Sequence, residues 1–171
     1  GKLKIMTETP DKVSIECFQA IKVNGKRDNE TKSKVVIAEA EEIVKIIHAL
    51  TSSKNQGLFE QDYKLPKHID PNNFTIGVIS MIRDQCTKIA ELIEEKLPDL
   101  DAVYELMIGT PEEFQGNERD IMIFSLCLDT DCKRGQGHYQ DAKRLNVATS
   151  RAKSFTYFVY SPFDRTFNEI Y

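Results

Sequence analysis

Residues 104–128 read YELMIGTPEEFQGNERDIMIFSLCL. Two apolar segments, residues 104–108 and 120–128, stand on either side of a polar stretch, and the second segment is rich in Ile, Met, Phe and Leu. Apolar runs of this length between turn residues are typical of strands that are buried on both faces of a sheet. The stretch therefore predicts two buried strands with a short connection between them.

The connection has the spacing of a single capped helical turn. Thr110 stands at the N-cap, Pro111 at the first helical position and Glu113 at the position of a capping-box acid. Gly116 follows where a helix can end in a left-handed conformation, which glycine adopts without strain. We therefore expect one helical turn between the two strands, with charged residues that cap it.

Strands and helices alternate along the rest of the chain. Apolar residues repeat at every second position within residues 13–23 and alternate within 155–160, and they recur at helical spacing in the helix segments. The other predicted elements are a strand within residues 13–23, a helix over 36–50, a strand over 74–80, a helix over 82–97, a helix over 143–153, a strand over 155–160 and a last helix that opens at 161–164. Strands that alternate with helices predict an α/β domain with a parallel sheet and helices on both faces. In such a sheet, ligands bind beyond the carboxyl ends of the strands.

Composition limits the class of protein. The chain has 171 residues, of which 40% are hydrophobic and 29% are charged, as in an ordinary soluble globular domain. Its formal net charge of −4 argues against a domain that holds nucleic acid by bulk charge, but it leaves room for a local basic track. No apolar run approaches the roughly 20 residues that a membrane helix needs. We therefore expect no membrane partner.

The cysteines and histidines give no sign of a metal site. The four cysteines form no CxxC pair, and the three histidines are scattered. We therefore expect no bound metal ion on this chain. Cysteines of this kind are typical of a reduced intracellular protein, and we expect a cytoplasmic location.

Three polar residues of the connection are not needed to cap its turn. Gln115, Glu118 and Arg119 come just before a buried strand, where we expect a ligand site. Glutamine and glutamate side chains can hydrogen-bond a ribose hydroxyl or orient a water molecule. The sequence therefore makes Gln115 and Glu118 candidates for contact with a nucleotide.

Two arginines stand out in residues 143–153. Arg144 and Arg151 are seven positions apart, which would place them on one side of a helix, two turns apart. One interpretation is a solvated basic face, the usual meaning of such a pair. The other is a pair of guanidinium groups aimed at phosphates, which suits their planar donors. The residues alone leave both interpretations open.

Several segments together resemble the motifs of superfamily-one helicases. Residues 108–123 (IGTPEEFQGNERDIMI) resemble motif V, residues 144–153 (RLNVATSRAK) resemble motif VI, and residues 76–85 (IGVISMIRDQ) resemble motif IV. Residues 39–44 match the helix that commonly precedes motif IV. The order and the gaps also fit, over roughly residues 34–165. The resemblance is greatest to the branch of RNA-surveillance and Okazaki-processing helicases, which usually move 5′ to 3′.

The resemblance implies roles at an ATP site. Arg151 matches the arginine that reaches the γ-phosphate, and Gln115 matches a residue of the motif V turn, so these two are the expected catalytic residues. Glu118 matches the acid that contacts the nucleotide sugar. Gly116 and Arg144 match further positions beside the nucleotide and its phosphates.

The motif IV match adds two residues near the same cleft. Arg83 and Gln85 match motif IV positions that contact the nucleotide, and Thr110 of motif V matches a residue near the nucleic-acid backbone. The chain departs from the family at Met81 and Ile82, where a Pro-aromatic pair is common. Since Ile82 lies on the apolar stripe of the predicted helix, we interpret it as a core residue.

The resemblance makes residues 1–171 the second, C-terminal RecA-like domain of a P-loop NTPase-type helicase. No GxxxxGK[ST] phosphate loop occurs in the sequence. We therefore expect ATP and Mg²⁺ to be held mainly by a first RecA-like domain that is absent from this chain. The intact protein is expected to be an ATP-dependent helicase on single-stranded nucleic acid, and this chain alone is expected to be inactive.

Two other functions are compatible with the residues. The first is a degenerate RecA-like module that binds a partner without hydrolysis. The second is a nucleotide or flavin binder of flavodoxin-like topology, which is disfavoured because no loop in the sequence is rich in anion-binding residues.

Overall fold

Five parallel strands form a single sheet in the computed structural model, which describes residues 17–26, 34–52, 63, 65–66, 68–100, 104–128 and 141–162. In chain order the elements are β1 (Phe18–Lys22), α1 (Ile37–Thr51), β2 (Thr75–Ser80), α2 (Arg83–Lys96), β3 (Glu105–Gly109), β4 (Arg119–Ser125), α3 (Ala142–Thr149) and β5 (Ala152–Tyr160). The strand order is β1-β5-β4-β2-β3, and all neighbouring pairs are parallel. The predicted α/β class, with a RecA-like parallel sheet, is confirmed.

The strand side chains alternate between two apolar layers. On one face, α1 and α2 pack on the sheet through a cluster that includes Ile47, Ile89 and Ile76, each fully buried. On the opposite face, Ala148 of α3 packs in a second cluster with Phe124 of β4. Helices therefore cover both faces, as the alternation of elements predicts. Each such buried aliphatic or aromatic side chain stabilises the fold by about 1.5–3 kcal/mol.

The connection between β3 and β4 is the capped turn that the sequence predicts. The backbone N–H and the hydroxyl of Thr110 both donate to Oε2 of Glu113, at 2.8 and 3.0 Å. The N–H of Phe114 donates to the carbonyl of Thr110 at 3.2 Å, which closes one helical turn. Gly116 then has a φ of +82°. Phe114 is fully buried in the α3-side cluster, and it fastens the turn to that face of the sheet.

The helix predicted over residues 143–153 is shorter than expected. It ends at Thr149, and β5 already begins at Ala152. The prediction is wrong at this end because a long-range contact replaces the helix. The N–H of Arg119 donates to the carbonyl of Arg151 at 3.1 Å, which brings the chain into the ladder between β4 and β5.

One other predicted boundary differs from the structure. The strand predicted over residues 120–128 ends at Ser125, and Cys127 has a φ of +51°, which is incompatible with continuing the strand. The helix predicted to open at residues 161–164 lies largely outside the described residues. Within the described part of the chain, no helix has both the length and the apolar character needed to span a bilayer.

Candidate functional site

A groove of about 290 Å³ lies at the carboxyl edge of the sheet. The segments that follow β2 and β3 line it, together with residues just before α1 and at the start of α3. Its lining residues are Lys34, Met81, Ile82, Arg83, Asp84, Thr110, Glu112 and Arg144. This is the edge at which open α/β sheets bind their ligands. The groove is therefore a candidate binding site whose wall is rich in charged side chains.

Two adjacent glutamates of the β3–β4 turn bind two arginines of the groove. Nη2 of Arg144 donates to Oε2 of Glu112 at 3.0 Å, and Nε of Arg144 lies 2.5 Å from Oε1. Glu113 receives Nη1 of Arg83 at 3.0 Å. The side chain of Arg144 is 21% exposed and that of Arg83 is 69% exposed, so the first pair is the more enclosed. The turn thus joins the starts of α2 and α3 through ion pairs.

The same contacts lower the pKa of both glutamates. The side-chain hydrogen bond from Arg144 is the largest influence on Glu112, and it holds the pKa of that carboxyl below its ordinary value. For Glu113, the backbone hydrogen bond from Thr110 lowers the pKa most, and the contact with Arg83 adds to it. Both carboxylates are therefore anions at neutral pH, and each is matched to a cation.

A second group of charged residues lies at the opposite, amino edge of the sheet. Glu118 precedes β4, and Arg151 precedes β5, in strands that are direct neighbours. The N–H of Arg119 donates to the carbonyl of Arg151 at 3.1 Å, so the two segments touch. The guanidinium of Arg119 is bound to Glu105 at 2.9 Å and is only 14% exposed. Arg119 is therefore a packing residue that fixes this edge.

Arg151 is bound differently from the other arginines near the sheet edges. Its Nε donates to the carbonyl of Val147 at 3.3 Å, in the last turn of α3. Among the residues that the structure describes, no acid pairs with it. Arg83, Arg119 and Arg144 each bind a glutamate. Arg151 therefore retains donor capacity for a ligand.

Gln85 lies beneath the groove rather than in its wall. It is fully buried, and its Oε1 accepts the N–H of Val36 at 2.9 Å. Its Nε2 donates to the carbonyl of Val36 and to the hydroxyl of Ser125, both at 3.1 Å. The amide thus links the start of α2 to the residue before α1 and to the end of β4. All of these contacts are to protein groups.

Glu39 continues this buried network, and sequence reasoning missed it. Its Oε2 accepts from the hydroxyl of Ser125 and the N–H of Cys127, both at 2.8 Å, and its Oε1 accepts from the N–H of Ser161 at 3.0 Å. Burial raises the pKa of this fully buried carboxyl to about 7, although the three hydrogen bonds oppose the shift. Glu39 is three residues after Val36 and belongs to the buried side of α1, which is the one sequence signal of its burial.

Sequence reasoning also missed Glu112, because a turn that already has Glu113 as its capping acid does not need a second acid.

The described residues hold no group of three or more His, Cys, Asp and Glu side chains arranged for a metal ion.

Comparison with known proteins identifies the family. Residues 2–161 match a family model described as "AAA domain". The chain belongs to this AAA domain family. "Putative helicase MOV-10" of Gallus gallus is 32% identical over 156 residues, which cover 86% of this chain and 15% of that protein. "Helicase sen1" of Schizosaccharomyces pombe is 32% identical over 140 residues, which cover 80% of this chain and 7% of that protein.

A third relative is similar over a shorter part of the chain. "Regulator of nonsense transcripts 1 homolog" of Drosophila melanogaster is 34% identical over 79 residues, 46% of this chain and 7% of that protein. The aligned segments span only 7% to 15% of the lengths of these curated relatives. The recognition of a superfamily-one helicase C-terminal domain, made from the three motifs, is confirmed.

In this AAA domain, five of the eight residues that the motifs nominate lie at one or the other edge of the sheet. Arg83, Thr110 and Arg144 surround the groove at the carboxyl edge. Glu118 and Arg151 lie at the amino edge, and the exposed Gln115 and Gly116 lie on the connection that runs between the two edges. The expectation that Arg144 and Arg151 share one side of a helix is wrong, because Arg151 lies beyond the end of α3.

Proposed function

We propose that this AAA domain is the second half of an ATP-dependent helicase, and that Arg151 and Glu118 complete an ATP site whose phosphate loop is on a first RecA-like domain. The observation that carries the proposal is that Arg151 has unused hydrogen-bond donors. Of the four arginines near the sheet edges, Arg151 alone forms no ion pair within the described residues. A partly buried guanidinium with unused donors is suited to bind a phosphate from another domain.

The chemistry of phosphoryl transfer explains why one arginine matters. Negative charge spreads over the transferred phosphoryl oxygens in the transition state, and a guanidinium there stabilises that state more than the ground state. The exposed carboxylate of Glu118 offers acceptors for ribose hydroxyls. Mg²⁺ bound with ATP neutralises charge on the phosphates. From the resemblance to superfamily-one helicases, its ligands are expected mainly on the first domain.

The groove at the carboxyl edge supports a second contact, with the sugar-phosphate backbone of a single strand. Three cations line it, namely Lys34, Arg83 and Arg144, beside the two acids Asp84 and Glu112. Sequence reasoning assigned Arg83 and Arg144 to the nucleotide, but their position around the same groove as Thr110 favours the nucleic-acid backbone. Since the net charge is −4, binding is expected to depend on these few residues and to weaken as salt rises.

The test is steady-state ATPase kinetics on the intact two-domain protein, with nucleotide affinity measured separately. Arg151→Ala should lower turnover by roughly 10³- to 10⁵-fold while much of the nucleotide binding remains. Arg151→Lys should rescue little, because a point charge cannot reproduce the two-pronged geometry. Glu118→Ala should mainly raise KM for ATP, since a sugar contact is made about equally in both states.

Lys153→Ala is the matched control, because it removes an exposed positive charge two residues from Arg151. Near-normal turnover of Arg151→Ala would mean that the motif VI assignment is wrong. The isolated 171-residue chain should show no ATP hydrolysis, because it lacks a phosphate loop.

A further inference from the structure

Both carboxylate oxygens of Glu112 lie against one arginine of the groove. Nη2 of Arg144 donates to Oε2 at 3.0 Å, and Nε lies 2.5 Å from Oε1 without the geometry of a hydrogen bond. The neighbouring Glu113 caps the turn, since its Oε2 accepts from Thr110 while its Oε1 reaches Arg83. Glu112 also contacts the side chain of Thr110 and its own backbone, but its largest interaction is with Arg144.

The carboxylate of Glu112 occupies the side of Arg144 at which a phosphate would bind. An arginine presents two parallel N–H donors, and a carboxylate and a phosphodiester both offer two anionic oxygens that match them. Glu112 and Arg144 both line the groove, and Arg144 is the more enclosed of its two arginines. An incoming phosphate can bind Arg144 in this way only if the carboxylate of Glu112 leaves.

We propose that Glu112 is an internal competitor for nucleic-acid phosphate at Arg144, so that strand binding proceeds by exchange of one anion for another. This inference rests on the proposed backbone contact in the groove. It makes Glu112 a residue that weakens binding and limits how long the domain holds a strand. An enzyme that steps along a strand has to release each contact, and a carboxylate that is covalently tethered beside the arginine favours that release.

The exchange has a distinctive salt dependence. A phosphate that is neutralised by a free arginine releases a condensed counterion, and log K then falls with log salt with a slope of about −0.7 per phosphate for single strands. When Arg144 takes a phosphate, the carboxylate of Glu112 remains beside the contact and loses its partner, so part of the charge neutralisation is cancelled. This contact therefore adds less to the slope than a full phosphate contact. Removal of Glu112 increases its contribution.

The experiment measures binding of fluorescein-labelled oligo-dT and oligo-U of equal length to the full-length protein, without nucleotide, over about 50–200 mM NaCl. Glu112→Gln should bind both probes about two- to fivefold more tightly at low salt, as expected for loss of one surface ion pair. Its slope of log K against log salt should be steeper, by at most about 0.7. The two probes separate a DNA strand from an RNA strand as the preferred ligand.

Glu91→Gln is the matched control. It removes one negative charge and the partner of a cation, since Glu91 binds Lys88 at 3.2 Å on the exposed side of α2. It should leave the slope unchanged. The double variant Glu112→Gln with Arg144→Ala should show no steepening relative to Arg144→Ala alone, because the competitor has lost its target.

The outcomes separate two proposals, the contact of the groove with the nucleic-acid backbone and the competitor role of Glu112. If Arg144→Ala weakens strand binding but Glu112→Gln behaves like Glu91→Gln, the groove binds nucleic acid and the competitor role is refuted. If Arg144→Ala leaves both affinity and slope at wild-type values, the groove does not bind the backbone, and both proposals fall. A steeper slope for Glu112→Gln that persists in the double variant would also overturn the exchange, because the effect would then come from general charge.

Discussion

The free energy of unfolding should depend on pH in the wild-type chain in a way that it does not in the Glu39→Gln variant. The carboxyl is fully buried, and burial raises its pKa from the ordinary value of 4.5 to about 7. Below pH 4.5 the group is protonated in the folded and the unfolded chain alike. Between pH 4.5 and 7 the unfolded chain releases the proton while the folded chain keeps it. The free energy of unfolding of the wild type therefore falls as pH rises through this window.

The size of the effect follows from the two pKa values. A difference from 4.5 to about 7, at about 1.4 kcal/mol per pH unit, corresponds to about 3 kcal/mol. Glutamine has no such titration. It also puts an NH₂ group where an oxygen now accepts from Ser161 or from Ser125 and Cys127, and one unsatisfied donor costs about 1–3 kcal/mol. That cost is the same at every pH and cancels when two pH values are compared.

Urea unfolding followed by circular dichroism at several values between pH 4.5 and 8 measures the prediction. Relative to the wild type, Glu39→Gln should gain about 3 kcal/mol in free energy of unfolding from the lowest to the highest pH. Glu41→Gln is the control, because it removes an exposed carboxylate from the same helix. A difference between wild type and Glu39→Gln that stays constant across the pH range would refute the reasoning.

Two glycine substitutions, each measured by thermal or urea unfolding, test separate features. Gly116 tests the backbone strain of the β3–β4 turn, and Gly77 tests the packing around β2. Gly116→Ala should lose about 1–2 kcal/mol, because φ is +82° and the cost is backbone strain alone: no atom lies within 4 Å of the added Cβ. Gly77→Ala should lose about 1–3 kcal/mol by overpacking, since its Cβ would lie 2.4 Å from Sδ of Met122 and 2.9 Å from Phe114. Met122→Ala in the same chain should recover part of that second loss, and strict additivity of the two changes would contradict the packing argument.

Local signals were enough to predict the elements and the turn between β3 and β4. The capping box of Thr110 and Glu113 spans three residues, and the positive φ of Gly116 follows directly from the end of that turn. The strand and helix periods likewise need only neighbouring residues. For these reasons the fold class could be predicted from one sequence.

The parts that could not be predicted depend on contacts between distant residues. Arg144 meets Glu112 across 32 positions, and Glu39 meets Ser161 across 122. The residues that follow α3 pair with β4, and this pairing ends the helix at Thr149. Helical spacing alone therefore predicted a helix that was too long. Arg151 and Glu118 were nominated by motif resemblance. The spacing of residues along the chain could not show that these two lie at the opposite edge of the sheet from Arg144. The roles of these residues at a nucleotide stay predictions.

The hydrogen bond from the N–H of Arg119 to the carbonyl of Arg151 reduces the conformational entropy that is lost when the proposed two-domain site assembles. It fixes the main chain of Arg151 to the first residue of β4, so the arginine starts from a rigid anchor. When two domains close on a nucleotide, only the rotamers of this side chain then have to be ordered, which costs at most about 2 kcal/mol. An arginine on a loose loop would add about 1–2 kcal/mol for every backbone residue that becomes fixed. In the proposed site, the sheet edge removes that additional cost before the first RecA-like domain closes on the nucleotide.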